Sequence, residues 1–377
     1  MSQQFDVAVV GLGAMGSAAL LDLARRGVRA VGFDRFHPPH TLGSTHGRSR
    51  IIRQAYFEDP VYVPLVRRAY ERWELLTGET GVPVFQRTGG LMLGSRDGVL
   101  VGGSRLSAMT HQVPFEELDA AAIGKRFPDL RPDPDTVAIL EPHAGMLDPE
   151  ASVAAMLGRA TQLGAAVHFS TVVNGWTAGS SSVTLETTAG RFEAGAVILA
   201  AGSWLGELIG GSLPLSVERQ IMFWFDPLTG MPRISPERLP VFIWEWATDR
   251  LFYGFPDVGE GLKVARHHEG AGTTPAAVDR GVSPEEMADA RSLLERFIPA
   301  AAGAFRSAAV CLYTNTPDSH FVLGPLASDP RVIVVSACSG HGFKFASAIG
   351  ELAADLATIG STSFDLSVFS PERFTRT

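Results

Sequence analysis

The sequence is poor in cysteine, in long apolar runs and in net positive charge. Its two cysteines, Cys311 and Cys338, are too few for a disulfide framework, which is typical of the reducing cytoplasm. The longest apolar runs, such as residues 196–201, are far shorter than the ~20 residues of a membrane span. No leader-like segment precedes the first apolar run at residues 7–10. The formal net charge of −8 argues against nucleic acid or an anionic membrane surface as the main partner. We therefore expect a soluble, cytoplasmic protein.

What remains has the balance of an ordinary globular protein. Apolar residues make up 45% of the chain and charged residues 19%, which excludes a disordered chain. The length of 377 residues exceeds what one core usually accommodates, so we expect either two domains or one domain with large insertions. A local basic pocket inside this acidic protein would still accommodate a small anionic substrate.

The chain begins with the pattern of a βαβ unit. Residues 5–10 are a predicted strand, residues 17–26 a helix closed by Gly27, and residues 28–33 a second strand that ends on Asp34. The remaining regular elements are predicted as helices at residues 64–79, 151–163 and 346–359 and strands at residues 166–169, 183–187, 191–193, 196–202 and 332–335.

Dinucleotide-type elements at both ends of the chain and around residues 153–202 are separated by β-rich stretches. This order predicts a mixed α/β and α+β protein with two domains, both discontinuous in sequence. A Rossmann-like nucleotide-binding domain is expected over residues 1–86, 148–214 and 306–377. A β-sheet-rich substrate domain is expected over residues 87–147 and 215–305.

A G-x-G-x-x-G motif follows the first strand and precedes the first helix. Gly11 permits the tight turn, Gly13 the approach of a pyrophosphate, and Gly16 close packing of helix on strand. Asp34, at the end of the second strand, is placed to accept hydrogen bonds from ribose hydroxyls. A lone glycine motif is as often packing as binding, but the matching flanks and acid favour binding. The motif does not separate FAD from NAD.

A basic segment lies just beyond Asp34 and contains His46, Arg48, Arg50 and Arg53. It is interpreted either as a solvated basic loop or as a cationic site near the far end of the cofactor. A cationic site beside a flavin would stabilise the anionic reduced ring and hold a substrate carboxylate.

Further motifs occur in a specific order along the chain. They are His46-Gly47-x-x-Arg50-Ile51-Ile52-Arg53, Tyr253-Gly254-Phe255-Pro256, Gly261-Leu262-Lys263, Cys311-x-Tyr313-Thr314 and Ser339-Gly340-His341-Gly342-Phe343-Lys344. Together with the glycine motif, the combination resembles the monomeric sarcosine oxidase and N-methyltryptophan oxidase family. These are FAD-dependent amine oxidoreductases of the D-amino-acid-oxidase-like superfamily. The nucleotide-binding domain is then expected to bind FAD.

The resemblance implies FAD attached through its 8α-methyl group to the sulfur of Cys311. Composition alone would make Cys311 a small buried hydrophobe, the commoner state of a free cysteine. Cys338 is the rival thiol and is expected to be structural. The cofactor contacts implied by the resemblance also include Ser44, Ser49, Val172, Gly202, Gly340 and Gly342.

The implied reaction is the oxidation of a neutral secondary amine by O₂. The expected substrate is an N-methyl amino acid, which yields the demethylated amino acid, formaldehyde and H₂O₂ from a monomeric enzyme. Three alternatives stay open. They are oxidation of a cyclic imino acid of the proline or pipecolate type, transfer of electrons to an acceptor other than O₂, and a binding module without turnover.

By the same resemblance, Arg53 and Lys344 hold the substrate carboxylate, with Tyr313 in the substrate site. Lys263 activates oxygen, because a fixed ammonium would stabilise superoxide. Without the family, Lys263 would be an outward lysine on a strand and Lys344 a surface lysine.

The substrate amine is expected beside Tyr253 and His267, and a histidine there would tune its protonation. His268 would point away if the segment is extended. His46 and Arg50 are expected to support the charge of the flavin ring, although Arg50 is also interpretable as a structural ion-pair partner.

Several positions depart from the family pattern. Arg48 stands where an acidic residue is usual, Ser49 where threonine is usual, and Arg266 where an aromatic residue is expected. Trp244 and Trp246 lie in a stretch expected to line the substrate cavity with smaller residues. These departures leave the identity of the amine open.

Overall fold

The computed structural model describes residues 3–374, which contain twenty strands and eight helices. The strands are β1 Gln3–Val10, β2 Ala30–Phe33, β3 Arg50–Ile52, β4 Phe85–Arg87, β5 Gly90–Ser95, β6 Glu116–Asp119, β7 Thr136–Glu141, β8 Gly145–Leu147, β9 Ala166–His168, β10 Val173–Ala178, β11 Val183–Thr187, β12 Gly190–Leu199, β13 Ser216–Phe225, β14 Val241–Ala247, β15 Arg250–Phe255, β16 Leu262–His267, β17 Gly272–Thr273, β18 Phe305–Asn315, β19 Val322–Leu326 and β20 Asp329–Ser336. The helices are α1 Ala14–Arg25, α2 Tyr62–Thr80, α3 Val99–His111, α4 Ala120–Arg126, α5 Pro149–Gln162, α6 Leu205–Leu208, α7 Pro284–Phe297 and α8 Ala346–Ile359.

The first sheet has a parallel core in the order β9-β2-β1-β12-β20. The β10–β11 hairpin joins this sheet through antiparallel pairing of β11 with β12, and β19 pairs antiparallel with β20. Val7 and Val9 of β1 pack in one core cluster with residues of α1, α5 and α8, whereas Ala8 and Val10 pack in another on the opposite face. Burial on both faces explains why β1 is an unbroken apolar run.

The second sheet is mixed and has the order β13-β16-β15-β14-β5-β7-β6, with β17 and β18 also paired to β13. Successive side chains along its strands point to opposite faces. Phe252 and Val264 lie on the face that packs against Phe297 of α7. Tyr253 and Ala265, the neighbouring residues, lie on the other face with Cys311.

A third, small sheet links these two parts of the molecule. It has the order β3-β8-β4, with β3 antiparallel to β8 and Ile52 opposite Gly145. Arg53 therefore lies one residue beyond the last paired position of β3. This sheet anchors the basic segment.

The expected mixed α/β fold is confirmed. The division into two domains with boundaries near residues 86, 147, 214 and 305 stays a prediction. Within residues 3–374, no helix combines the length and the apolar character needed to cross a membrane.

Candidate active site

A tight glycine turn joins β1 to α1. Gly11 has a φ of +89°, in the left-handed region that favours glycine. A Cβ on Gly16 would lie 1.7 Å from the carbonyl oxygen of Gly11, so no larger residue fits there without moving the backbone. Helix α1 begins after Gly13 with no side-chain cap. Apart from the Ala14 amide, which makes a long hydrogen bond of 3.4 Å to Thr45 Oγ1, its first amides are available to an anion, as expected of a dinucleotide site.

Asp34 lies beside this turn at the end of β2. Its Oδ2 accepts the Leu12 amide at 2.7 Å, and its Oδ1 accepts the Phe36 amide at 2.8 Å. Burial raises the pKa of Asp34, while these two amide bonds oppose the rise. Each carboxylate oxygen keeps one lone pair for a further donor, such as a ribose hydroxyl.

One cavity of about 430 Å³ extends from the glycine turn to the strands of the mixed sheet. Most of the predicted site residues line it, namely Gly11, Gly13, Asp34, Ser44, Arg50, Arg53, Val172, Gly202, Tyr253, His267, Cys311, Tyr313, Gly340, Gly342 and Lys344. The predicted residues outside the lining are Gly16, His46, Ser49 and Lys263. Of these, Ser49 and Lys263 contact each other immediately behind the wall.

Lys263 is 2% exposed and projects from β16 beneath the basic segment. Its Nζ donates to the carbonyl oxygens of Gly47 at 2.8 Å and Ser49 at 2.9 Å, and lies 4.6 Å from the ring centroid of Phe255. Burial lowers the pKa of Lys263 well below its usual value, and the charge of Arg50 acts in the same direction. This lysine does not face solvent from the strand.

Arg50 stands between Lys263 and the thiol of Cys311. Its guanidinium donates to the carbonyl oxygens of Ser44 and Ser49, both at 2.8 Å, and its Nη2 lies 3.8 Å from the Cys311 sulfur. Its nearest polar partners are thus carbonyl oxygens and sulfur. Across residues 3–374 we find no salt bridge from Arg50, which disfavours the alternative of a structural ion pair.

His46, the first residue of the basic segment, is buried. Burial lowers its pKa to about 3, and the charges of Arg50 and Lys263 lower it in the same direction. The ring is therefore neutral at physiological pH. Its Nε2 has no hydrogen-bond partner among the described residues.

The two thiols have different surroundings. Cys311, which is 3% exposed, has its sulfur 3.6 Å from the carbonyl oxygen of Ser44. The sulfur of Cys338 accepts the Thr314 amide at 3.3 Å, and burial raises the pKa of this thiol. Cys338 is therefore held in its protonated, unreactive form at neutral pH. Both residues line the cavity.

Three aromatic side chains from three strands of the mixed sheet meet on the cavity face. Tyr253 comes from β15, His267 from β16 and Tyr313 from β18; His267 Nδ1 lies 3.4 Å from the Tyr313 hydroxyl. The ring centroids of Tyr253 and His267 are 6.2 Å apart. Burial lowers the pKa of His267 well below its usual value, and the nearby charge of His268 adds to this. His267 is therefore uncharged.

His268 does not meet the condition under which it would point away from the site, because the backbone is not extended there. Strand β16 ends at His267, and His268 has a φ of 58° instead of an extended backbone. Its Nε2 lies 3.2 Å from the carbonyl oxygen of Ser339, and its ring packs 5.4 Å from that of Tyr313. The turn brings His268 back against the wall of the site, because alternation applies only to extended backbone.

Arg53 and Lys344 lie together at one end of the cavity. Arg53 is 1% exposed; its Nη2 donates to Glu58 Oε2 at 2.6 Å, and its Nη1 donates to the Ala55 carbonyl oxygen at 2.8 Å. The guanidinium also stacks on Tyr56 and Phe57, with 4.4 and 4.7 Å to their ring centroids. Arg53 thus already has an anionic partner within the protein.

Lys344 is buried next to Arg53. Its Nζ donates to the His341 carbonyl oxygen at 2.7 Å and to the Tyr56 hydroxyl at 3.4 Å. Burial and, to a smaller extent, the charge of Arg53 lower the pKa of Lys344 to about 7, while the charge of Glu58 opposes this shift. Lys344 is not a surface lysine.

Trp244 and Trp246 do not line the cavity, contrary to expectation. Trp244 is 1% exposed and packs against Phe297 on the opposite face of the sheet, with ring centroids 4.5 Å apart. Arg266 points to that face as well, with its guanidinium 5.0 Å from the Trp246 ring centroid. Strand alternation places Ile243, the neighbour of Trp244, in the cavity instead.

Several lining residues were not identified from the sequence. Glu58, Phe57 and Ile243 face the cavity, but none of them belongs to a recognisable motif. A compositional signal did exist for the two site lysines. The chain has only three lysines, Lys125, Lys263 and Lys344, and two of them are buried at this site.

The family model described as FAD dependent oxidoreductase (DAO) matches residues 6–356. The sequence is 43% identical to the monomeric sarcosine oxidase of Streptomyces avermitilis, over 99% of this chain and 98% of the relative. It is 34% identical to an N-methyl-L-tryptophan oxidase of Yersinia pestis, over 98% of this chain and 99% of the relative.

Solved structures share the fold. NikD, an unusual amino acid oxidase essential for nikkomycin biosynthesis, matches with a TM-score of 0.86 and 24% identity, covering 98% of both chains. An L-proline dehydrogenase from P. horikoshii matches with a TM-score of 0.87 and 23% identity, covering 100% of this chain and 99% of the other.

Proposed function

The chain belongs to the DAO family of FAD-dependent oxidoreductases, as its motifs predicted, and from this premise we propose that it oxidises an N-methyl amino acid. It is a flavin-dependent amine oxidase. The proposed products are the demethylated amino acid, formaldehyde and H₂O₂. The observation that carries the proposal is a single cavity with a cationic end and an uncharged aromatic end. Arg53 and Lys344 form the cationic end. His267, Tyr253 and Tyr313 form the aromatic end.

The residues present are suited to FAD. The glycine turn excludes any side chain at Gly16, the uncapped start of α1 offers amides to a pyrophosphate, and Asp34 keeps acceptor capacity for a ribose. When bound, FAD supplies an acceptor for the hydride from the carbon next to the amine nitrogen and a route for electrons to O₂. The protein's tasks are then to orient the amine, exclude water and place charge.

Orientation of the substrate is assigned to the cationic end. A guanidinium offers a fork of donors to a carboxylate, and an ammonium adds a point charge. With the carboxylate held between Arg53 and Lys344, the amine of a small amino acid extends towards Tyr253, His267 and Tyr313.

The aromatic end favours an uncharged amine. An ammonium has no lone pair to support departure of a hydride, so the substrate must be neutral at its nitrogen. The burial that lowers the pKa of His267 also disfavours an ammonium placed beside it. His267 is proposed to favour the neutral form of the amine as an uncharged neighbour, and the proton of an ammonium substrate is lost before the amine occupies this end of the cavity.

Lys263, His46 and Arg50 are proposed to act on charge at the flavin ring. Lys263 is held by two carbonyl oxygens, so it needs no reorganisation to stabilise negative charge on oxygen. Arg50 is proposed to support negative charge on the ring, and His46 to shape that wall as a neutral group.

The covalent bond to FAD is assigned to Cys311. Its sulfur lies beside the Arg50 guanidinium on the cavity face of β18. The raised pKa of Cys338 and its bond from the Thr314 amide argue against the rival thiol. We also propose a monomer in the cytoplasm, consistent with two free cysteines.

Two measurements test the proposal. Acid-precipitated protein should retain the yellow colour of flavin, and Cys311→Ala should lose it whereas Cys338→Ala should keep it. A peroxide-coupled screen should then show turnover of sarcosine and larger N-methyl amino acids above that of proline and pipecolate. Higher turnover of proline or pipecolate than of N-methyl amino acids would show that the substrates are cyclic imino acids instead. Substrate-dependent flavin reduction without peroxide would indicate a different electron acceptor.

A further inference from the structure

Glu141, the last residue of β7, is a carboxylate buried behind the cationic end of the cavity. It is 0% exposed. Its Oε2 accepts the Ala55 amide at 2.8 Å, and both of its oxygens lie 2.9 Å from the Gln54 amide. These partners are 86 and 87 residues away in sequence. Glu141 therefore binds backbone from a distant segment.

This burial is unfavourable for the carboxylate by itself. Burial raises the pKa of Glu141 to about 7, while the amides of Ala55 and Gln54 and the charge of Arg53 oppose the rise. A hydrophobic residue at this position would avoid the cost of desolvation. Within residues 3–374, the two backbone amides that Glu141 accepts are thus the only groups that compensate the cost of its burial besides the charge of Arg53.

The donors fixed by Glu141 belong to the residues that directly follow Arg53. Arg53 lies beyond the last paired residue of β3, so the small sheet does not hold its backbone. Its Nη1 donates back to the Ala55 carbonyl oxygen at 2.8 Å. Ala55 is thus held at its N–H by Glu141 and at its C=O by Arg53. A shift of Ala55 would move the guanidinium in the cavity.

We propose that Glu141 is a positioning residue for Arg53, acting through the amides of Gln54 and Ala55, and that it thereby sets the affinity of the site for a substrate carboxylate. The inference rests on the proposed function, because it assumes that Arg53 binds that carboxylate. Glu141 itself does not line the cavity and touches neither substrate nor cofactor.

The test uses the holoenzyme and the variant Glu141→Gln. Glutamine replaces one acceptor oxygen with an NH₂ group that faces an amide donor, so Ala55 and Arg53 should shift. The Kd of acetate, measured by the change in flavin absorbance, should rise about tenfold, and the KM of sarcosine should rise with it. The kcat should stay within about twofold, because the groups around the amine are unchanged. The Kd of acetamide, which has no charge, should not rise in the variant.

A matched control is available in Asp22→Asn. Asp22 is another buried acid, 3% exposed, but it pairs with Arg72 between α1 and α2 and does not line the cavity. It should lower the Tm without moving the Kd of acetate. An unchanged acetate Kd in folded Glu141→Gln, or an equal rise for acetate and acetamide, would overturn the inference.

Two further measurements test the inference even if Glu141→Gln does not fold. Glu141→Asp keeps the charge on a shorter side chain and should give an acetate Kd between those of wild type and Glu141→Gln. In the wild type, the amides of Gln54 and Ala55 should exchange with solvent deuterium far more slowly than an open loop. Exchange at the rate of unprotected peptide would overturn the inference. Failure of wild-type holoenzyme to bind acetate in competition with sarcosine would instead overturn the proposed function, and this inference with it.

Discussion

Arg53 and Glu58 form an ion pair of 2.6 Å at the wall of the cavity, where the substrate carboxylate is proposed to bind. Burial by itself raises the pKa of Glu58. The charges of Arg53, His341 and Lys344 outweigh burial and hold that pKa below its usual value. Glu58 is thus ionised at neutral pH. A substrate carboxylate must compete with it for the same guanidinium.

This competition makes Glu58→Gln informative. Without the internal anion, Arg53 keeps its full charge for the ligand, so the Kd of acetate should fall by about tenfold, equivalent to about 1.4 kcal/mol. The Tm should also fall, because a buried guanidinium loses its partner. Glu207→Gln is the control, since Glu207 is another acid on the lining. Weaker acetate binding in Glu58→Gln would show that Glu58 organises the site instead of competing for it.

The lowered pKa of Lys344 predicts how the affinity for a carboxylate depends on pH. Its pKa is lowered to about 7 by burial, so the side chain is a cation below pH 7 and becomes neutral above it. An anionic ligand without an amine, such as acetate, should therefore bind tightly below pH 7 and progressively more weakly as the pH rises through 7. Titration of the flavin absorbance with acetate from pH 5.5 to 8.5 measures this.

The control for that titration is Lys344→Met, whose acetate affinity should be weak and nearly flat over the same range. Residual variation would come from other groups at this end of the cavity. A wild-type profile as flat as that of Lys344→Met would remove Lys344 from the carboxylate site.

Lys263→Met should slow reaction with O₂ without slowing reduction. Its Nζ is held by Gly47 and Ser49 behind the wall, so its loss removes positive charge near the proposed position of the flavin ring while leaving the substrate end intact. The rate of reoxidation should fall about 10²-fold or more, on the scale of losing one preorganised charge. Stopped-flow absorbance measures anaerobic reduction and aerobic reoxidation separately. Lys125→Met, on helix α4, should change neither; equal slowing of both steps in Lys263→Met would contradict the assignment.

The sequence predicts much of this fold because its elements carry local signals. Helix α8 coincides with the predicted range, residues 346–359, and the glycine turn, β1 and α1 lie within a few residues of expectation. The sequence predicts separate strands at 191–193 and 196–202, but the first stretch and residues 196–199 of the second belong to one strand, β12 Gly190–Leu199, which ends before residues 200–202. The first half of β12 pairs with β11 and the second half with β20, a change of partner that is set by tertiary contacts.

The sequence could place residues at the cavity where they belong to motifs, but not where their partners come from far away in sequence. Arg53 and Lys344 were identified from their motifs. The ion pair of Glu58 with Arg53 and the hydrogen bonds that Glu141 accepts from distant backbone depend on contacts that no local pattern encodes. The error on Trp244 had another cause. The sequence assigned this stretch to the substrate region but did not determine which face of the sheet Trp244 lies on, and a difference of one residue along a strand reverses the face.

That correction leads to a paired prediction on neighbouring residues. Trp244 packs against Phe252 and Phe297 on the core face, so Trp244→Leu should lower the free energy of unfolding by about 3 kcal/mol. It should leave the ratio of KM values for N-methyltryptophan and sarcosine within about twofold of wild type. Ile243 lines the cavity, so Ile243→Ala should lower that ratio several-fold by making room for the larger side chain. Urea unfolding and the peroxide-coupled assay measure the two effects. A change of substrate preference in Trp244→Leu as large as that in Ile243→Ala would mean that the core face also shapes the cavity, and strand alternation would no longer explain which residues select the substrate.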